Sequence, residues 1–473
     1  MLTRDPRMQT RTEHDALGSF ALPTDALYGI HTARALSHFP ATGCAWPAVL
    51  WRALATVKLA CAQVNTELGY LKDPVAGALI DALTEMAAGA HAGWFVVDPH
   101  SGGAGTSVNM NVNEVAANLA GRRLGHAPGA GVVDALTHVN LHQSTNDVFP
   151  TAVHVAALWL LEELEEALNR LVLQLQELER RFAGVIKLGR TQLTPAVPTT
   201  LGRSFSTFAE AVSRDRWRVF KARERLRTVN LGGTAIGTGL AAPRPFILQA
   251  TTRLRELTRL PLARAENLVD ATANHDQLAE AFAIVKVVAV DLEKLAHDLR
   301  LMHLLGEVRL PPVQVGSSIM PGKFNPVICE AAEAAAVRVQ GDEATCARLF
   351  ARGELELNAF LPLASYLMLH SLTLLTQVSD QLREHALAGL EAEEARLRAA
   401  LVSHPASATL LIAAHGHETA ERVALHMRAT GEDLAAASAA LGVADAAALE
   451  DLLRPERILA LGFVPARDPG GEA

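Results

Sequence analysis

Leu161, Leu164, Leu168, Leu171, Leu175, Leu178 and Phe182 recur at alternating spacings of three and four. That is a coiled-coil-like seam held for about three heptads. Glu162, Glu163, Glu165, Glu166, Arg170 and Glu177 occupy the other faces. A helix of this length with one apolar stripe needs partner helices to cover the stripe, and two other stretches supply candidates. Residues 277–302 read as a helix apolar nearly all round, with Lys286 alone interrupting 283–290, and residues 357–379 carry no charge. Aromatic residues make up 5% of the 473-residue chain against 49% hydrophobic, so the core is built from Leu, Ala and Val, which favours packed helices over a β-sandwich. The predicted fold is therefore mainly α, a long central helical bundle with smaller N- and C-terminal domains. The boundaries are expected at 1–145, 146–390 and 391–473, where the last segment turns to shorter Ala/Glu/Arg-rich amphipathic pieces and a Gly/Pro-rich loose tail.

The uncharged 357–379 stretch is long enough to span a bilayer. Asn358, Pro362, Ser365, His370, Ser371, Thr373, Thr376 and Gln377 lie within it, costly in lipid and easily satisfied among protein helices. A buried bundle helix is expected, with no membrane partner. The formal net charge of −8 comes from interspersed acids and bases, which suggests no nucleic-acid face. The first fifteen residues have no apolar segment of the kind a secretory signal needs and read as a frayed lead-in. Cys44, Cys61, Cys329 and Cys346 show no paired spacing, as expected of reduced thiols in a cytoplasmic protein.

Between the helical patterns lie polar islands bent by Gly and Pro. Residues 101–111 (SGGAGTSVNMN) lead into a helix, where free backbone N–H groups and the Thr106 hydroxyl can meet an anion. Residues 142–147 (HQSTND) hold Ser144, Thr145 and Asn146, and 187–198 (KLGRTQLTPAVP) break the helical period with Gly and Pro and hold Thr191 and Gln192. Residues 230–239 (NLGGTAIGTG) are glycine-dense, which allows close approach of the backbone either to a ligand or to a neighbouring helix. The most distinctive island is 316–326, GSSIMPGKFNP: two glycines and two prolines exclude regular helix or strand, yet Ser317, Ser318, Lys323 and Asn325 sit within it. Hydroxyl and amide donors in such settings suit a small multi-carboxylate and negative charge developing on it. No island offers Cys, His and carboxylate at metal-ligand spacing, and His415 and His417 read as structural or surface residues, so neither metal nor cofactor is expected.

GSSIMPGKFNP resembles the signature loop of the aspartase/fumarase superfamily. The resemblance runs in order through LPTDALYGIHTARALSHFPATG, SGGAGTSVNMNVNEVAANLA, HQSTNDVFPTA, KLGRTQLTPAVPTTLG, NLGGTAIGTGL and ELELNAF, over roughly residues 20–380. It implies a homotetramer around a helical bundle, with composite active sites built from three subunits. It further implies carboxylate-binding donors at Thr106, Ser144, Thr145, Asn146 and Thr191, a catalytic base at Ser317, and loop contacts to substrate from Ser318, Lys323 and Asn325. The implied reaction, closest to the aspartase branch, is reversible anti elimination of ammonia from L-aspartate to give fumarate, through an aci-carboxylate intermediate. Lys323 can serve either to stabilise an ionised Ser317 or as a carboxylate counter-ion.

Gln192 stands where the family's fumarases carry histidine. A leaving hydroxide must be protonated, whereas a leaving ammonium already carries its proton, so a hydrogen-bonding Gln suits the second. Three departures from the family pattern bear on the substrate: the shortened 301–310 segment, the run TLLIAAHGHETAERVA with His417 where Tyr is usual, and Phe324 and Cys329 around the loop. They leave room for a related C–N lyase acting on an N-substituted or otherwise modified aspartate, and less readily for a fumarate hydratase.

Overall fold

The computed structural model of the chain describes residues 9–462. Its long elements are the helices Thr145–Arg181, Leu201–Arg225, Asp276–Leu304, Val327–Phe350 and Leu361–Gln381, which makes the fold mainly α as the seam predicts. Every seam residue from Leu161 to Phe182 is at most 2% exposed. By internal contacts the chain forms two units. The first comprises Met1–Glu166, Arg216–Val290 and Ala335–Gln377, and the second Ala167–Asp215, Asp291–Ala334 and Val378–Ala473. The tail at 463–473 lies outside the described residues.

Of the expected frayed lead-in, residues 1–8 lie outside the described residues, and its end is ordered in the first unit: Thr10–Asp15 pairs antiparallel with Gly18–Pro23 as a β-hairpin. The Arg11 guanidinium pins it by donating to the carbonyls of Pro23, Thr24, Ala26 and Tyr28. The helix Ala48–Glu67 packs on Val75–Ala87 and on Arg244–Thr258. The helix Ile30–His38 lacks a cap from its own N-cap residue; instead buried Glu114 of the helix Thr106–Arg123 accepts from the amides of Gly29, His31 and Thr32 and from the Thr32 hydroxyl, satisfying orphan helix donors from a distance.

Buried Asn358 ends one long helix and begins the next. Its amide donates to the carbonyls of Leu349 and Phe350, and its Oδ1 accepts from the Phe360 amide at 2.9 Å. The uncharged stretch is therefore helical only from Leu361, after this cap. Among the described residues one helix, Leu361–Leu387, is long and apolar enough to cross a membrane, or two if the bent pair Glu394–Ser403 and Pro405–Thr430 counts as one span. Of the first one's apolar window 67% is buried within the protein, as in a core helix.

In the second unit residues 187–198 are not merely a break in a helical pattern. Ile186–Thr191 and Thr194–Thr200 form an antiparallel hairpin with an irregularity between Leu188 and Arg190. Ile186 and Leu188 share a buried cluster with Leu401 and Leu453, and the C-terminal helices close a second core around Leu411, Val423, Met427, Leu434, Ala437 and Leu449. Val308–Arg309 pairs with Glu391–Ala392.

Candidate active site

The predicted residues fall into two groups, one in each unit. In the first unit Gly103, Ala104 and Gly105 all have positive φ (88°, 55° and 92°) and deliver the chain into the helix that starts at Thr106. A Cβ on Gly105 would stand 2.9 Å from the Phe149 ring of the helix Thr145–Arg181; the glycine lets these two helix starts meet. A hydrogen bond joins them as well, from the Asn109 amide to the Thr145 hydroxyl at 3.0 Å. Thr106, which is exposed, is thereby brought together with Ser144, Thr145 and Asn146 at two helix N-termini, a setting that favours anions.

Ser144 and Asp147 form a capping box. The Asn146 amide donates to Ser144 Oγ at 3.2 Å, and the Ser144 amide donates to Asp147 Oδ1 at 2.9 Å. Asp147 Oδ2 accepts in turn from the amides of Gly232 and Thr234, so this fully buried carboxylate ties the glycine-dense island to the Ser144–Asn146 turn. The glycines of 230–239 thus serve close packing of backbone: a Cβ on Gly237 would lie 2.4 Å from the Leu268 carbonyl.

Pro150 completes the arrangement. Lacking an N–H, it leaves the carbonyl four residues back, that of Asn146, without its helical donor. The Asn230 amide takes the vacant place at 2.9 Å, and the Asn146 side chain donates to the Ala235 carbonyl at 2.8 Å. Beneath lies a polar layer rare in a core: Asn140 Oδ1 accepts from Lys58, Asn109 and Asn113. Burial pushes the Lys58 ammonium down to about 7 and Asp147 up to about 6, the three backbone donors and Lys58 opposing the shift at Asp147.

In the second unit Thr191 and Gln192 lie at the hairpin tip. Thr191 pairs with Thr194, and the two turn residues, Gln192 and Leu193, have φ of 52° and 62°. That is a two-residue turn of the I′ kind, made here without glycine or asparagine. Gln192 lines a cleft of about 550 Å³ with Lys187, Arg190, Arg203, Lys294 and Glu307.

The 316–326 segment is irregular, as its sequence predicts, and closes on itself. The Gly316 amide donates to the Lys323 carbonyl at 2.8 Å and the Asn325 side-chain amide to the Gly316 carbonyl at 2.9 Å. A Cβ on Gly316 would lie 2.7 Å from the Lys323 oxygen, so only glycine permits this closure. Inside the loop Ser317 Oγ accepts from the amides of Met320 (2.9 Å) and Ile319 (3.1 Å). Ser317 is half-buried, Ser318 and Lys323 are exposed. No hydrogen bond among the described residues joins Thr191 or Gln192 to this loop.

Four of these side chains, Ser144, Thr145, Asn146 and Asn325, are each held by one bond and keep capacity for another. The hydroxyls of Ser144 and Thr145 accept but retain their O–H, and Asn146 and Asn325 each commit one side-chain N–H of two. Such a set can orient carboxylates and hold charge that develops on them. The residues that sequence reading missed are the holders: Asp147, Asn230, Lys58 and Glu307. The Ser-x-x-Asp spacing was a visible cue for Asp147; the others carry none. Cys329 is fully buried, which drives its thiol up to about 12, and His415 and His417 are exposed beside the kink at Gly416. Among the described residues no group of three or more His, Cys, Asp or Glu gathers as a metal site.

A sequence profile described as "Lyase" matches residues 18–341. The aspartate ammonia-lyase of Bacillus subtilis (strain 168) is 39% identical over 430 residues, covering 90% of this chain and 90% of that protein. The class II fumarate hydratase of Chromobacterium violaceum is 40% identical over 453 residues, covering 94% and 98%. Among solved structures, the fumarate lyase:delta crystallin of Brucella melitensis bound to cobalt has a TM-score of 0.90 and 40% identity, covering 95% of this chain and 99% of that one. Profile, relatives and fold agree with the loop and the donor set: the chain is a member of the aspartase/fumarase superfamily of lyases.

Proposed function

We propose that the chain is an ammonia-lyase that converts L-aspartate reversibly to fumarate and ammonia, with Ser317 as the base. The observation that carries this reading is the pair of amides, Ile319 and Met320, donating to Ser317 Oγ. A serine hydroxyl is far too weak an acid to be ionised at neutral pH unaided. Two fixed donors aimed at its oxygen favour the alkoxide, and Lys323 adds a cation in the same loop, where it can also act as a carboxylate counter-ion.

The alkoxide removes a proton from C3 of L-aspartate, and the electron pair moves into the adjacent carboxylate as an aci-form dianion. Thr106, Ser144, Thr145, Asn146, Thr191, Ser318 and Asn325 hold the carboxylates with the N–H and O–H groups they keep free. The C2–N bond then breaks and ammonia leaves with the proton it already carries. Gln192 hydrogen-bonds that amine and cannot donate a proton to a leaving hydroxide, which supports ammonia over water as the product. In this reading the two residue groups meet across subunits of a homotetramer.

The direct test follows fumarate absorbance on mixing the protein with L-aspartate, with L-malate, and with fumarate plus ammonia. Turnover of L-aspartate is expected, lost on Ser317→Ala with the oligomer unchanged. Turnover of malate instead would replace this reading with hydratase activity, and full activity in Ser317→Ala would mean that another group is the base.

A further inference from the structure

Glu307 sits at a junction, although nothing in its neighbourhood of sequence marks it. It follows the helix Asp276–Leu304 by three residues, in the αL-capped ending in which the Glu307 amide donates to the Met302 carbonyl at 2.9 Å and Gly306 has a φ of 65°. It is 3% exposed. One carboxylate oxygen accepts from Lys187 Nζ and the other from the Arg190 guanidinium. Lys187 is itself 7% exposed, and among the described residues Glu307 is the only acid that accepts a hydrogen bond from either of these two hairpin cations. A buried carboxylate shared by two cations is costly unless its geometry is kept, and it therefore fixes geometry.

What the hairpin needs is such fixing. Its tip places Gln192 and Leu193 at positive φ, a conformation that side-chain-bearing residues resist. Nothing in the turn itself compensates, and Arg190 precedes the tip by two positions. On its other side Glu307 leads through Val308–Arg309 to Leu310, Pro311 and Val313, which line one small cavity with Asn325 and Pro326, the foot of the Ser317 loop. The Glu307 carbonyl also accepts from the Glu393 amide at 3.1 Å, holding this strand against the C-terminal segment. All of these residues belong to the second unit.

We propose that Glu307 is a positioning residue that sets the hairpin tip carrying Thr191 and Gln192, and the foot of the loop carrying Ser317, on one shared support. Its side chain fixes the first and its backbone the second. The effect on turnover rests on the function proposed above; the structural coupling does not.

The experiment compares hydrogen exchange, by mass spectrometry of the intact protein, in wild type, Glu307→Gln and Arg190→Gln. Arg190 is the more exposed of the two cations, so the second variant leaves the buried Lys187–Glu307 pair in place and guards against a failure of Glu307→Gln to fold. In Glu307→Gln, peptides covering 190–194 and 313–325 are expected to exchange about tenfold faster, with the Leu361–Gln381 helix unchanged. In Arg190→Gln only 190–194 is expected to accelerate. Unchanged exchange at the tip in both variants, or acceleration confined to 187–190, overturns the proposal. On L-aspartate, Glu307→Gln is expected to lower kcat on the order of 10–100-fold, and Gln192→Ala to have a smaller effect in that background than alone; full additivity contradicts action through Gln192. A wild type inert on L-aspartate would overturn the functional reading while the exchange result still decides the coupling.

Discussion

The buried histidines of the first unit make acid stability a property of single residues. His154 and His275 line one small cavity with Asp270, Asp276 and Asn230, and His154 Nδ1 lies 3.1 Å from the Leu226 carbonyl. Burial drives both imidazoles from 6.5 down to about 4. As pH falls through 6.5 the unfolded chain takes up protons that the folded chain refuses until about 4. The stability present above 6.5 is therefore lost between those values, by up to about 3 kcal/mol per histidine. Asp147 works in the opposite sense, because its folded value of about 6 lies above the ordinary 3.8; it offsets about one histidine over the same window. A net fall in Tm between pH 6.5 and 4 is expected, with a shallower slope in His154→Gln. A slope unchanged by that substitution would show that His154 is not buried neutral.

At the scale of elements the hairpin Ile186–Thr191/Thr194–Thr200 carries a turn that its residue types do not favour, with Gln192 and Leu193 both at positive φ. Leu193 is 71% exposed and gains no burial within the chain that would offset its positive φ. Leu193→Gly is therefore expected to raise stability by about 1 kcal/mol, read as a higher Tm; a loss would mean that another subunit covers this side chain. The hairpin also shows what sequence conveyed and what it did not. The seam from Leu161 to Phe182 was legible because its period belongs to one helix and needs no knowledge of the partner. Gly189, Pro195 and Pro198 looked like punctuation, since strand pairing with an irregular register leaves no period to detect. The donors Thr106, Ser144, Asn146 and Ser317 stood out as polar residues among Gly and Pro. Glu307 did not, because its partners Lys187 and Arg190 lie 120 and 117 residues away. Asn230 was equally hidden, since its task is created by Pro150, eighty positions earlier in the chain.

For the whole molecule, the placement of Thr106, Ser144, Thr145 and Asn146 in one unit and of Ser317 and Lys323 in the other gives the proposed tetramer a functional test. Asn146→Ala and Ser317→Ala are each expected to be inactive alone. When the two are unfolded together and reassembled, sites that draw these residues from different chains recover about a quarter of wild-type turnover, the fraction for random mixing of two kinds of subunit. Recovery would fail if one chain supplied both residues to its own site. Light scattering on the same samples reports whether the assembly is four chains.

The two amides at Ser317 Oγ belong to the main chain, and this has an evolutionary consequence. A group presented by the backbone is inherited whatever side chain it bears, so the identities of residues 319 and 320 are released from the chemistry at the neighbouring oxygen. Ile319, 86% exposed, and Met320, 50% exposed, are accordingly free to drift toward whatever surface meets the loop. Proline alone is barred from both positions, because it would delete a donor. Lineages of this fold can thus change the company the loop keeps without rebuilding the pair of donors at Ser317 Oγ.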